Sequence, residues 1–294
     1  MSMETLFDFA IVAVILGCIW IYVLWFRRVK ARVRPENQTD TSKPNGASAE
    51  LERNARHIVL REIGGPGQKR LKEAKVLVVG AGGLGSPALQ YLAAAGVGCI
   101  GVIDDDVVEN SNLQRQTIHT SDRIGMAKVF SAQQAMLAQN PFIEVRPYNR
   151  RLSSEIVDEL FADYDLILDG TDDSDTRYLV NETAVKLAKP LISSAISQWE
   201  GQISVFDPAN GAPCYRCIFP EPAAAGLAPS CAEGGVLGPL PGVMGSMMAV
   251  EAVKLLAKAG ETLHGRVLIY DALYSETRII SAKRRPGCPV CDGA

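Results

Sequence analysis

The stretch from Val76 to Asp106 leaves this chain few folds to choose from. A short β-branched run, VLVV, meets Gly80, Gly82, Gly83 and Gly85, and the following SPALQYLAAAG reads as a helix ended by Gly96. A second apolar run, CIGVID, then delivers Asp104. Strand, glycine turn, helix and strand form a βαβ unit. Gly80 permits the tight turn, Gly82 lets a phosphate approach the backbone, and Gly85 lets the helix pack close to its strand. Free N–H groups at the helix start favour an anion, and a carboxylate at Asp104 can accept hydrogen bonds from a ribose. The stretch therefore predicts an adenosine nucleotide site. The plainer alternative is a tightly packed βαβ turn, and the glycine pattern alone fits dinucleotide and ATP sites equally.

The remaining elements extend this unit. Strands are predicted at 143–148, 165–169, 190–194, 202–206, 267–270 and 277–282, and helices at 50–63, 125–140, 153–162, 174–188 and 242–258, with Gly64-Gly65-Pro66-Gly67 breaking the first helix. This alternation predicts an α/β, Rossmann-like, mostly parallel sheet with flanking helices. The net charge of −3 is spread along the chain without a basic bank, so nucleic acid is not an expected partner.

The first fifty residues are different. Leu6 to Phe26 is apolar except for Asp8, and at ~1.5 Å per residue it spans a hydrocarbon core of about 30 Å. Glu4 and Asp8 precede it, whereas Arg27, Arg28, Lys30, Arg32 and Arg34 follow. That is the reverse of a cleaved signal peptide. The basic flank predicts a single N-terminal transmembrane helix with the body of the protein in the cytosol. Residues 1–34 are thus read as the anchor, 35–50 (PENQTDTSKPNGASAE) as a flexible linker, and 51–294 as the catalytic domain.

A charged cluster narrows the chemistry. Asn112, Arg115 and Lys128 follow the ribose carboxylate, and Asp172 follows the apolar strand LILDGT at the carboxyl edge of the sheet, where ligands of this architecture bind. A triphosphate needs such cations, and a carboxylate there can hold Mg²⁺. Singly, Arg115 and Lys128 also read as solvated surface charge and Asp172 as a helix N-cap.

Two C-x-x-C pairs, Cys214/Cys217 and Cys288/Cys291, lie 70 residues apart, and the three remaining cysteines stand singly. This suits a reducing compartment better than a disulfide scaffold. The spacing leaves two readings open, a shared four-cysteine zinc site or redox and free thiols.

Together these residues resemble the HesA/MoeB/ThiF family of E1-like adenylyltransferases, which activate ubiquitin-like sulfur carriers. The resemblance covers Glu52 to Cys291 and rests on RNARH at 53–57, GAGGLG at 80–85, SNLQRQTIH at 111–119, Lys128, DGTDD at 169–173, EGQISVF, PCYRC and PGCPVC. It implies ATP at Gly80, Gly82, Gly83 and Gly85, ribose at Asp104, phosphate contacts from Asn112, Arg115 and Lys128, and a Mg²⁺-linked role for Asp172. It also implies a homodimer in which Arg56 reaches the other subunit's site, and it favours structural Zn²⁺ at Cys214, Cys217, Cys288 and Cys291. The implied reaction is attack of a carrier's Gly-Gly carboxylate on the α-phosphate, with a separate protein expected as sulfur donor. In some relatives a cysteine in the loop of Cys231 forms a covalent acyl link; the alternative here is a dispensable thiol. The sequence departs from the MoeB pattern at Asp173, where Asn is frequent, and at RNARH. Two other functions remain open: an NAD-dependent oxidoreductase, resting on the glycine turn and Asp104, and a non-catalytic membrane-tethered scaffold.

Overall fold

The computed structural model describes residues 16–22, 24, 46–222 and 234–292. The chain divides into two compact units, Met1–Gly46 and Ala47–Ala294. In the first, residues 16–22 and 24 are helical and exposed. The rest of the expected anchor, and most of the expected linker, lie outside the described residues.

The second unit is built on one eight-stranded sheet. Its strands are β1 (Lys75–Val79), β2 (Cys99–Ile103), β3 (Glu144–Tyr148), β4 (Leu166–Asp169), β5 (Leu191–Ser197), β6 (Glu200–Phe206), β7 (Arg266–Asp271) and β8 (Glu276–Ser281), in the order β3-β2-β1-β4-β5-β6-β7-β8. The first five run parallel, and β6, β7 and β8 are added antiparallel. From β1 the chain winds outward one way through β2 and β3, then returns to place β4 on the other side. This makes the gap between β1 and β4 the topological switch point, where open α/β sheets bind ligands.

Alternation along the strands builds a core on each face. Val76, Val78, Ile100, Val102, Leu166 and Leu168 face one core, shared with α3 (Gly85–Ala95), α4 (Lys128–Gln139) and α8 (Pro239–Ala257). Leu77, Val79, Ile103 and Ile167 face the other, with Phe161 and Tyr164 at α5 (Val157–Ala162) and Val180 on α6 (Ser174–Lys186). Both faces being covered explains why these strands are continuously apolar. By length and composition, α8 could also cross a membrane. Its Leu240, Met244, Met248 and Ala252 are instead buried in the core, so it is an interior helix of this unit.

Two local readings change. The first helix, α1, spans Ala47–Ile58, and the GGPG run opens a second helix, α2 (Gly64–Glu73), rather than ending the first. Gly64 makes the turn with φ +58°, and Pro66 falls in the first helical turn, where its missing N–H would have no partner anyway.

Candidate functional site

The glycine turn lies at the switch point, and it works by closeness. Gly80 takes φ +93°, and its N–H donates to the Ile103 carbonyl at 2.9 Å, so the turn is hung on β2. On the other side, a Cβ at Gly80 would stand 3.2 Å from the Gly170 carbonyl oxygen, just beyond β4. A Cβ at Gly85 would stand 1.9 Å from the Gly80 carbonyl oxygen, which no side chain could tolerate. Gly85 thus packs α3 against its strand as the sequence implies. No side chain caps the start of α3 at Leu84.

Asp104 closes one side of the turn. Its carboxylate accepts from the Ala81 N–H at 2.7 Å and from the Asp106 N–H at 2.9 Å. Burial nevertheless raises its pKa above the usual carboxylate value, against the pull of Lys128 and these two amides. Lys128 opens α4 with its side chain only 7% exposed, and its Nζ lies 2.7 Å from Asp106 Oδ2. The solvated-charge reading of Lys128 therefore fails: this cation is held inside, beside the acidic run. Asp104, Asp105 and Asp106 bring their carboxylates within 4.8 Å of one another.

The SNLQRQTIH segment lies over the same turn. Asn112 is buried, and its Oδ1 accepts from the Glu109 N–H at 3.2 Å, which locks the short 3₁₀ turn Asn110–Asn112. Arg115 is half-buried and donates to the Ser111 carbonyl at 3.1 Å. Its stem and the Gln116 amide border Gly83 and Gly82, where added Cβ atoms would meet them at 3.8 and 3.7 Å. Pro241 of α8 closes in on Gly83 from the other direction.

Asp172 is exposed beside Thr171, and among the described residues it makes no hydrogen bond or ion pair. The N-cap of α6 is Asp173 instead, which accepts from the Thr176 N–H at 2.9 Å and the Thr176 hydroxyl at 2.5 Å. These bonds hold the Asp173 pKa below the usual carboxylate value. The departure at Asp173 is therefore accommodated as a cap, and the capping reading of Asp172 is corrected.

Arg56 sits elsewhere. It is exposed on α1, whose neighbouring Arg53 donates to the Gln139 carbonyl at 2.6 Å and whose Asn54 borders Gly96. That is the far end of α3, roughly 16 Å of helix from the glycine turn. Cys231 lies outside the described residues. Among the described residues, the Gly234 carbonyl accepts from Gln198 Nε2 at 3.0 Å, and Gly238 borders Gln114.

The four paired cysteines do come together, 74 residues apart in sequence. Sγ separations are 3.8 Å for Cys214 to Cys217, 3.7 Å for Cys214 to Cys288 and 3.3 Å for Cys217 to Cys291. All are far beyond the ~2.05 Å of a disulfide.

A model of the ThiF family matches residues 54–290. The chain belongs to the ThiF family. It is 50% identical over 246 residues to the sulfur carrier protein adenylyltransferase of Thermus thermophilus, covering 82% of this chain and 91% of that protein. It is 51% identical over 243 residues to the probable adenylyltransferase/sulfurtransferase MoeZ of Mycobacterium tuberculosis, and there it spans 62% of the relative's length and 82% of its own. With the SAMP-activating enzyme E1 of Haloferax volcanii it shares 46% over 244 residues, covering 83% of this chain and 90% of that one. Among solved structures, E. coli MccB superposes with a TM-score of 0.71 at 23% identity, over 84% of this chain and 73% of that one, a likeness of fold alone.

Sequence reasoning did not single out His119, although it ends a quoted motif. It is buried, with Nε2 3.0 Å from the Ala81 carbonyl and Nδ1 2.9 Å from Ser131 Oγ. A carbonyl only accepts, so Nε2 carries the proton and Ser131 donates to Nδ1. Ala81 is thus gripped at both ends, by Asp104 on its N–H and His119 on its carbonyl. Burial holds the His119 pKa below 6.5, so on acidification the unfolded chain takes up a proton that the folded chain refuses. Its contribution is complete above 6.5 and is lost as pH falls toward the folded value, by at most ~1.4 kcal/mol per pH unit. Urea unfolding between about pH 7.5 and about pH 5.5 should show a shallower decline in His119→Gln, which keeps a donor for Ala81 without the titration. Parallel declines would remove His119 from the acid response.

Proposed function

We propose that this protein adenylylates the C-terminal glycine carboxylate of a small ubiquitin-like sulfur-carrier protein with ATP, releasing pyrophosphate and preparing the carrier for thiocarboxylation. The observation that carries the reading is Lys128, a lysine almost wholly buried beside Asp106 and Asp104 at the edge of a glycine turn. A dehydrogenase has no use for that cation next to its ribose carboxylate, whereas a triphosphate does. The names borne by the Thermus, Mycobacterium and Haloferax relatives support the same chemistry.

In this reading Gly80, Gly82, Gly83 and Gly85 let the phosphates approach the backbone, and Asp104 accepts from the ribose through its remaining lone pairs. Asn112, Arg115 and Lys128 bind the phosphates. The carrier's carboxylate is already ionised at neutral pH, so no general base is required. Its oxygen forms a bond to the α-phosphorus as the bond to the departing pyrophosphate breaks. Orientation and neutralisation of the negative charge supply the acceleration. Asp172, exposed and without a partner among the described residues, is the carboxylate that would hold Mg²⁺, which would add neutralising charge when bound. Arg56, at the wrong end of α3 to serve its own subunit, acts in a homodimer on its partner's site. Cys231 is retained as a candidate acyl acceptor or a dispensable thiol.

Lys128→Ala, Arg115→Ala and Asp172→Ala should each lower carrier-dependent ATP–pyrophosphate exchange by about a hundredfold or more, the loss expected on removing a preorganised charge contact. Near-normal exchange in any of them removes that residue from the site. Mixing Arg56→Ala with Asp172→Ala subunits should restore part of the rate, since such a dimer has one intact site.

The cysteine cluster fits Zn²⁺. Four thiolates at ~2.3 Å around a tetrahedral ion lie about 3.8 Å from one another, close to the separations seen. With all four positions filled by protein the metal would be structural, tying the end of the domain to its middle. Metal analysis should give one zinc per chain, and Cys288→Ser should lower both zinc content and melting temperature. A zinc-free protein that melts at the same temperature would exclude the structural role.

The anchor reading places the catalytic unit on the cytosolic side of a membrane, held by residues 6–26. It rests on the apolar run and its basic flank, and on the exposed Trp20, Ile21 and Tyr22. Full-length protein should sediment with membranes through a high-salt wash and lose that behaviour on deletion of residues 1–50. Release by salt alone would reduce the segment to a surface contact.

A further inference from the structure

The DGTDD loop carries Asp172, yet Asp172 has no partner among the described residues to hold it in place. Its position is inherited from its neighbours, and these are held by a buried ion pair. Asp169, at the end of β4, is wholly buried; its Oδ1 accepts from the Thr171 N–H at 3.1 Å and from the Thr171 hydroxyl at 2.9 Å. Its Oδ2 accepts from Ser193 Oγ at 2.7 Å and lies 3.4 Å from Arg177 Nη1. Arg177 reaches from the first turns of α6 with a side chain 9% exposed. It donates through Nη1 to Ser193 Oγ at 2.9 Å and to the Ser194 carbonyl at 3.0 Å, and through Nη2 to the Thr171 carbonyl. Behind it, the guanidinium carbon stands 5.7 Å from the centre of the ring of Tyr215, which opens the short helix α7 (Tyr215–Ile218) capped by Cys214.

We infer that Asp169 and Arg177 are a positioning pair for adenylylation, gripping Thr171 by its N–H and its carbonyl so that the next residue, Asp172, projects from a fixed backbone beside the glycine turn. This rests on the function proposed above. Stability alone gives little reason for the arrangement, because a buried ion pair pays a desolvation cost that apolar residues of similar volume avoid. What apolar residues would not supply is the pair of directed hydrogen bonds on Thr171. Gly170, where an added Cβ would stand 3.2 Å from the Gly85 nitrogen, contributes no side chain to restrain this segment. The Tyr215 ring packs against the guanidinium from the cysteine cluster, so the cluster also backs the pair.

The test replaces both charges at once, Asp169→Leu with Arg177→Met, so that neither is left buried alone. Amide hydrogen exchange of the full-length protein should show the Thr171 amide, which Asp169 holds, exchanging at least about tenfold faster, with most other core amides unchanged. Carrier-dependent ATP–pyrophosphate exchange should fall by about a hundredfold, as for Asp172→Ala. In the Asp172→Ala background the same pair of substitutions should cost nothing further, since the group being positioned is already gone. A loss that adds in full to that of Asp172→Ala, or unchanged exchange of the Thr171 amide, overturns the positioning role. Should the double variant not fold, Arg177→Lys keeps the charge but cannot span Thr171 and Ser194 together, and the same outcomes decide. A wild-type protein without pyrophosphate exchange would refute the adenylylation reading, while the amide measurement would still decide whether the pair holds the loop.

Discussion

The contact between Gly85 and the Gly80 carbonyl sets the dimensions of everything around it. With 1.9 Å between that oxygen and where a Cβ would be, α3 can lie directly against the end of β1, so the turn has no room to spread. The loop after β4 lies close beside it: a Cβ at Gly80 would stand 3.2 Å from the Gly170 carbonyl oxygen, and one at Gly170 would stand 3.2 Å from the Gly85 nitrogen. A Cβ at Gly80 or Gly170 would press on the opposite loop at 3.2 Å, and one at Gly85 would force α3 off the turn. The switch point is therefore narrow because three residues there have no side chain, and the polar groups on either side are forced to face a common space.

Charge in that space is arranged by a second constraint, that a buried ion must find partners. Lys128 is nearly enclosed and meets Asp106; Asp104 is half-buried and takes two backbone N–H groups; His119 remains neutral and spends both nitrogens on Ser131 and Ala81. These bonds are linked rather than independent. Ala81 joins Asp104 to His119, and the α4 start joins Lys128 to Asp106 through its N–H as well as its ammonium. The cation is held without consuming the carboxylate of Asp104, which leaves both for the nucleotide proposed above, with a ribose that donates and phosphates that accept.

Much of this was legible in the sequence because it was local. The apolar runs at 76–79, 99–103 and 166–169 announced strands, and the glycine spacing announced the turn. What escaped was set by partners distant in sequence. Asp169 and Arg177 are a strand-end acid and a helix arginine until Ser193 and Thr171 are folded around them. Asp172 and Asp173 are adjacent and chemically alike, and only the helix start at Ser174 decides that the second is the cap. Strand direction is likewise absent from local pattern: nothing in 200–206 says that the sheet turns antiparallel there. The GGPG run misled because glycine and proline are read as breakers, although proline in a first helical turn breaks nothing.

The antiparallel half gives the cysteine cluster its place in the fold. Strand β8 is exposed along its length and forms the sheet's edge, paired only to β7, with Glu276 and Arg278 charged along it. Such an edge buries little apolar surface and gains little from packing, although its charges discourage pairing with other chains. Cys288 and Cys291 follow β8 within ten residues, and they meet Cys214 and Cys217 on the segment that leaves β6. A metal joining these points would close a loop of about seventy residues that contains α8, β7 and β8, and a cross-link over a long loop removes more freedom from the unfolded chain than one over a short loop. Zn²⁺ bound there, as proposed above, would hold the edge of the sheet to the segment that leaves β6, and because Tyr215 lies between Cys214 and Cys217 in sequence, the same fastening would reach the guanidinium behind the DGTDD loop.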